Sequence, residues 1–516
     1  MSITHSRRLR TVVTAAAVAA ALLLTGCSGT AETSKTEGPA KTAPAISIAS
    51  TSAPNSLDPA QLVDGAQVFV WGSIYDTLLA RDPKTAEVIP NAAESWKYNA
   101  EGTELTFTLH KGMTFSNGHA VNADAVAKTM LRTKSTPGIV QPKYAQVTDV
   151  TAVDDLTVKV TFSKFDPQFI FNMSLGAGAI ADPATFSDPA LATNPVGSGP
   201  YTLDTAGTVA GTTYVLKKRA DYWNSKAFPY PTATIRVLAD ATAVFNAVQA
   251  GEVNAASVQQ QLVGQLDKSK FTVTELKAQA IGFLNIMDRG GQKFPALGDQ
   301  RVRQAINYAI DRQGILKGIY AGVGLVTDQV FNPAGAVNDK SLDGTYPYDP
   351  KKGKKLVEEA GYAGETFKIP STFLTTQVEP TLTQAFADIG LKLEWVPVPP
   401  QQAQSVLQSG EYGLTFQLTG YNSDPADAFY HFDPNGYGNP FHYTNDTLKG
   451  FFDKIDSTVN FKDVVPTYKK LNEYAVEQAY EAPVLFIGGN WVTSDGIKYI
   501  AYGGAPLTLR NFAFNG

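Results

Sequence analysis

A single cysteine, Cys27, occurs in 516 residues, and it ends an apolar run near the N-terminus. One thiol can form neither an internal disulfide nor a cysteine-ligated zinc site. The fold must therefore be held by packed cores. The material for them is present: 43% of the residues are hydrophobic and 18% are charged, below the roughly 25% charged of an average soluble domain. That composition excludes wholesale disorder. The length suits about three domains, or two large lobes. Net charge is −5 with no Lys/Arg run in the body, which argues against a nucleic-acid partner.

The segment before Cys27 carries Arg7, Arg8 and Arg10, then apolar residues from Thr11 to Thr25. A basic start followed by such a run predicts a secretory signal peptide over residues 1–26. The run is too short and too Ala-rich for a membrane-spanning helix. Leu24-Thr25-Gly26-Cys27 resembles the bacterial lipobox, in which the cysteine is diacylated and becomes the first mature residue. Cleavage there would remove three Arg and no acid. Residues 27–44 are Ser, Thr, Ala, Gly, Glu and Lys with almost no large apolar side chain, so they are expected to form a flexible tether. The expectation is a body on a short leash at the extracytoplasmic face of the cell membrane.

The body alternates β-branched runs with helical patterns and shows no fixed-period repeat. Glu104–His110 and Leu156–Phe162 alternate with period two and predict half-buried strands. Asn122 is placed to cap a helix over 122–130, with Asp124 in its first turn. A strand at 235–238 precedes a helix over 241–250 that stops at Gly251. Residues 301–320 put Val302, Ala305, Ile306, Ala309 and Ile310 on one helical face. Helices over 350–360 and 381–389 end at Gly361 and Gly390, and a strand at 391–396 follows. This spacing predicts an α/β fold.

Six blocks carry a family resemblance. Ser56-Leu57-Asp58-Pro59; Thr114-Phe115-Ser116-Asn117-Gly118; Pro195 to Tyr201 with Asp221-Tyr222-Trp223; Val302-Arg303-Gln304-Ala305; Ala309-Ile310-Asp311-Arg312; and Tyr348-Asp349-Pro350 with Glu359-Ala360-Gly361-Tyr362 stand in one order along the chain. Together they resemble the solute-binding proteins of ABC importers, bacterial extracellular family 5, which includes peptide- and nickel-binding members. On their own terms these blocks read as structure. Gly197 and Gly199 beside Pro200 suit a tight turn, not a phosphate loop, because no Lys-Ser/Thr or helix start follows. Arg303 and Arg312 are expected to pair with local acids, and Asp221-Tyr222-Trp223 to serve core and turn.

The resemblance implies a periplasmic-binding-protein-like clamp of two lobes, α/β throughout, with two hinge crossovers. The larger, discontinuous lobe I would comprise 45–280 and 490–516, with lobe II, 281–489, inserted. The crossovers would lie in 278–287 and 482–491. Ligand would bind between the lobes and the complex would dock on an ABC permease, without chemistry or cofactor, as a monomer. In peptide-binding relatives a Gly-Trp-x-x-Asp segment holds the peptide α-ammonium through its Asp. Gly420, Tyr421 and Asp424 fall on those positions, with Asn422 and Ser423 between them. The resemblance also points to Asp64 and Gln67 on the opposite wall, and Trp491 at the second crossover is expected to face the cleft. Between Arg312 and Arg510 there is no arginine, so lobe II lacks a guanidinium clamp beyond that helix. An oligopeptide is expected in preference to a strict dipeptide. Sugars, opine-like solutes or a nickel complex stand as alternatives, although His431, Asp433 and His442 read as solvated loop residues and no metal site is expected. A lipid-anchored hydrolase is the rival class, but no Gly-x-Ser-x-Gly, zincin helix or Cys–His arrangement occurs.

Overall fold

The structure is a computed structural model, described here for residues 43–515 except 373, 400, 401, 408 and 502–505. The expected signal peptide, Cys27 and nearly all of the expected tether lie outside these residues. Among the described residues no helix is long and apolar enough to cross a membrane.

One nine-stranded mixed sheet organises the chain. Its strands are β1 (Ile46–Ser50), β2 (Tyr201–Leu203), β3 (Thr213–Lys218), β4 (Thr232–Val237), β5 (Ala255–Ser257), β6 (Thr272–Ile286), β7 (Gly324–Val326), β8 (Leu414–Gly420) and β9 (Glu481–Thr493). The order is β8-β6-β9-β5-β1-β4-β3-β2, with β7 also on β9. β1 runs parallel to β4 and β5, whereas β6 and β9 are antiparallel along their length. A separate four-stranded antiparallel sheet holds Glu104–Leu109 and Thr157–Phe162 as its inner strands. Both alternate between buried and half-buried residues, as their period-two pattern predicts.

The two lobes meet on β6 and β9. Leu276 and Trp491 belong to a core built from both ends of the chain, with Ile46, Phe69 and Phe512. Leu284 and Leu485 belong to a different core, with Val302, Phe386 and Leu414. Between them Ala278, Ile281, Phe283 and Phe486 form a small cluster of their own. At this same point the β6–β9 register slips between Leu276 and Ala280, and Ile487–Gly489 are the only half-exposed residues of β9. Gly488 permits the close approach, since a Cβ there would lie 2.4 Å from the Leu276 carbonyl oxygen.

Local rules account for the helices. Asn122 accepts from the Ala125 amide and starts the helix Ala123–Ser135. Gly361 (φ 81°) ends Pro350–Ala360 in the left-handed conformation. The 301–320 expectation is corrected: Gln300–Ala309 and Arg312–Gly318 are two helices, because Asp311 leaves helical geometry and caps the second through the Gly314 amide. Arg303 pairs with no acid among the described residues. It donates instead to the carbonyls of Gln478, Leu297 and Gly298. Arg312 does pair, with buried Asp328 at 3.0 Å. Gly197 and Gly199 are set by proximity as well as turning: a Cβ on either would come within 2.7 Å of the Ile74 backbone.

Candidate functional site

The strand β8 ends at exposed Gly420, and the chain turns through Tyr421 and Asn422 into the helix Asp424–Phe432. Ser423 caps that helix by accepting from the Ala426 amide at 3.1 Å. Asp424 and Asp427, one turn apart, therefore share a helix face at its N-terminal end, where the macrodipole favours carboxylates. Both are buried. Asp424 Oδ2 accepts from the amides of Ala336 (2.7 Å) and Val337 (3.3 Å). Its Oδ1 is buried without a hydrogen-bond partner and lies against Gly335, where an added Cβ would be only 2.1 Å away.

Burial pushes the Asp424 carboxyl up to about 6, against the two amide bonds and the charges of Arg81 and Lys469. Burial and then the neighbouring Asp424 charge raise Asp427 well above its ordinary value. Tyr421 is raised by burial and by the same two acids. Burial is the largest cause for both acids, and the hydrogen bonds and nearby cations offset it only in part.

Arg81, distant along the chain, is the cation that acts on both acids. Its strand Leu79–Arg81 pairs with Val88–Pro90. The turn between them passes through Ala86 (φ 59°), whose carbonyl accepts from Arg81 Nε at 3.1 Å. The guanidinium lies 4.1 Å from the Phe171 ring centre and 5.6 Å from that of Tyr421. Arg81 is 6% exposed and its Nη2 has no partner. Burial pulls it down to about 10, while Tyr421, Asp427 and Asp424 favour its charge.

Of the residues expected from sequence, Gly420, Tyr421, Asn422, Ser423 and Asp424 are contiguous at this place. Asp64 accepts from Lys143 Nζ (2.7 Å) and the Gly176 amide (3.0 Å). Gln67 Oε1 accepts from the Asn55 amide. Trp491 is a correction: it is 2% exposed, stacked on Tyr499 and edge-on to Phe69 and Phe512, so core packing takes the faces expected to meet ligand. His431 is also not a solvated loop residue. It is buried against Glu481 (2.7 Å), which pairs with fully buried Arg289 (3.2 Å). Among the described residues no group of three or more His, Cys, Asp or Glu is placed to hold a metal ion.

Sequence reasoning missed Arg81 and Asp427. The three-residue spacing from Asp424 was a readable sign for Asp427. Arg81 had none, because only the tertiary fold brings residue 81 to residue 421.

A family model described as bacterial extracellular solute-binding proteins, family 5 middle, matches residues 87–440. A curated relative, heme-binding protein A of Haemophilus influenzae, is 26% identical over 92% of this chain and 94% of its own. The glutathione-binding protein GsiB of Pectobacterium atrosepticum is 27% identical over 73% of this chain and 74% of its own. The fold is similar to that of the periplasmic binding protein DppA from Helicobacter pylori in complex with the peptide STSA. TM-score there is 0.73 at 21% identity, covering 92% of this chain and 98% of the other. The two-lobe α/β architecture and the matched span agree: the chain belongs to family 5 of the bacterial extracellular solute-binding proteins.

Proposed function

We propose that this protein is the lipid-anchored receptor of an ABC importer for peptides, holding the peptide α-ammonium with Asp424 and handing the ligand unaltered to a membrane permease. The observation that carries the reading is the buried, unpartnered Oδ1 of Asp424 beside a second buried acid, Asp427. A carboxylate so placed gains a charge-assisted hydrogen bond from an arriving ammonium, worth roughly 1.5–3 kcal/mol. Gly420, Tyr421, Asn422 and Ser423 form the surrounding wall. The relatives named for glutathione and for the bound peptide STSA point the same way, since both ligands carry free ammonium groups.

In this reading lobe I is 45–280 with 490–516, lobe II is 281–489, and β6 and β9 are the hinge. Closure about such crossovers is the motion expected of a binding-protein clamp. Diacylation of Cys27 would hold the monomer at the membrane, because two acyl chains anchor stably where one does not. The ligand reading is tested by calorimetry with trialanine and N-acetyl-trialanine. Binding of the free amine, its weakening by acetylation, and loss of that distinction in Asp424→Asn are expected. Equal affinity for both peptides would remove the Asp424–ammonium pair.

A further inference from the structure

A second, much smaller cavity, about 10 Å³, is lined by Asp328, Asn472, Glu481 and Phe432 among others. Segments distant along the chain meet there. Glu481 opens β9, Asn472 lies in the helix Phe461–Glu477, and Phe432 ends the helix that Asp424 begins. Three of the lining side chains carry a buried oxygen without a hydrogen-bond partner: Asp328 Oδ1, Asn472 Oδ1 and Glu481 Oε2. These residues are 4%, 1% and 6% exposed. Buried polar atoms in folded proteins generally have a partner, and here three such atoms belong to the lining of one space.

Hydrogen bonds elsewhere on each side chain fix which atom is left over. Asp339 sets the Gln329 amide: Oε1 accepts from its N–H (2.9 Å) and Nε2 donates to its carbonyl (2.7 Å). Asn472 Nδ2 donates to that same Oε1 at 2.8 Å, so the atom left over on Asn472 is its oxygen. Glu481 Oε1 is taken by His431 Nδ1 (2.7 Å) and Arg289 Nη2 (3.2 Å). Asp328 Oδ2 accepts from the amides of Gly344 (2.7 Å) and Tyr346 (3.2 Å). All three remaining atoms are therefore acceptors, and their partner must donate. Asp328 and Glu481 are the only ionisable residues in the lining. Each already lies against a buried guanidinium, Arg312 at 3.0 Å and Arg289 at 3.2 Å, so these carboxylates do not call for a metal cation. The space is that of a single water, which needs about 10–15 Å³.

We propose that one water is built into the fold at this place, donating to Asn472 Oδ1 and Glu481 Oε2. A water has two hydrogens to give, and Asp328 Oδ1 already has the Arg312 charge beside it. The water fixes the Glu481 carboxylate, whose other oxygen holds His431 and Arg289. It thereby ties the start of β9 both to the helix Phe461–Glu477 and to the end of the helix Asp424–Phe432. The site stands whatever the ligand proves to be.

A high-resolution crystal structure of the mature protein tests the site. One water is expected within about 2.5–3.0 Å of both Asn472 Oδ1 and Glu481 Oε2, the range of an O–H donor. In solution, Asn472→Leu replaces the amide oxygen by a methyl group, and oxygen-17 relaxation dispersion should then count one long-lived water fewer than in the unsubstituted protein. Melting temperature should be the same in sodium chloride as in N-methylglucamine chloride of equal ionic strength. An empty site in the crystal, an unchanged water count in Asn472→Leu, or stabilisation by sodium would overturn the proposal.

Discussion

Asp424 ties two properties to one carboxyl group. Its ordinary value is 3.8 and the folded value is about 6. The fold therefore favours the protonated form: that stabilisation is complete below about pH 4 and is lost as pH rises through 6. Asp424→Asn removes the penalty, since an amide oxygen can still accept from Ala336. At pH 7 the variant should be more stable than the parent by roughly 1–3 kcal/mol, and the gap should close on acidification to pH 4. Denaturant titrations at both pH values check this; a gap that widens on acidification contradicts the assignment. Gly335 supports the same group by having no side chain. Gly335→Ala should cost about 1–3 kcal/mol from overpacking and should disturb peptide binding as well, read by melting temperature and calorimetry together.

At the scale of elements, much was legible where local chemistry decides. Asn122, Gly361 and the alternation in 104–109 each act within a few residues, and each structure formed where its signal lies. The misreadings share a cause. Trp491 looked like a cleft residue because strand β9 runs through both lobes, but its indole belongs to the half of that strand inside the N-terminal core. His431 looked like a loop residue among Pro, Gly and Asn, yet Arg289 and Glu481, 142 and 50 residues away along the chain, enclose it. Arg303 found carbonyls rather than acids because a neighbouring helix end was within reach. Glu481 begins β9 and neutralises buried Arg289. Glu481→Ala should thus cost about 3–5 kcal/mol by stranding that charge, measured by chemical denaturation. Gly488→Ala should force β6 and β9 apart at the register slip. It should lower ligand affinity beyond its effect on stability, which calorimetry at a temperature where the variant remains folded would separate.

At the scale of the molecule, the long strands β6 and β9 run from the core around Leu276 and Trp491 to the core around Leu284 and Leu485, and the buried acids Asp424 and Asp427 lie beside Tyr421, whose ring is 5.6 Å from the Arg81 guanidinium. Cys27→Ala should release the protein from membranes while leaving peptide affinity unchanged, as fractionation and calorimetry of the same preparations would record. The most direct measurement is native mass spectrometry of the mature protein incubated with di- to hexapeptides. A one-to-one complex is predicted, at the summed mass of protein and intact peptide, dissociating to the same peptide and weakened in Asp424→Asn. Cleaved peptide in the spectrum, or no complex with any free-amine peptide, would contradict it.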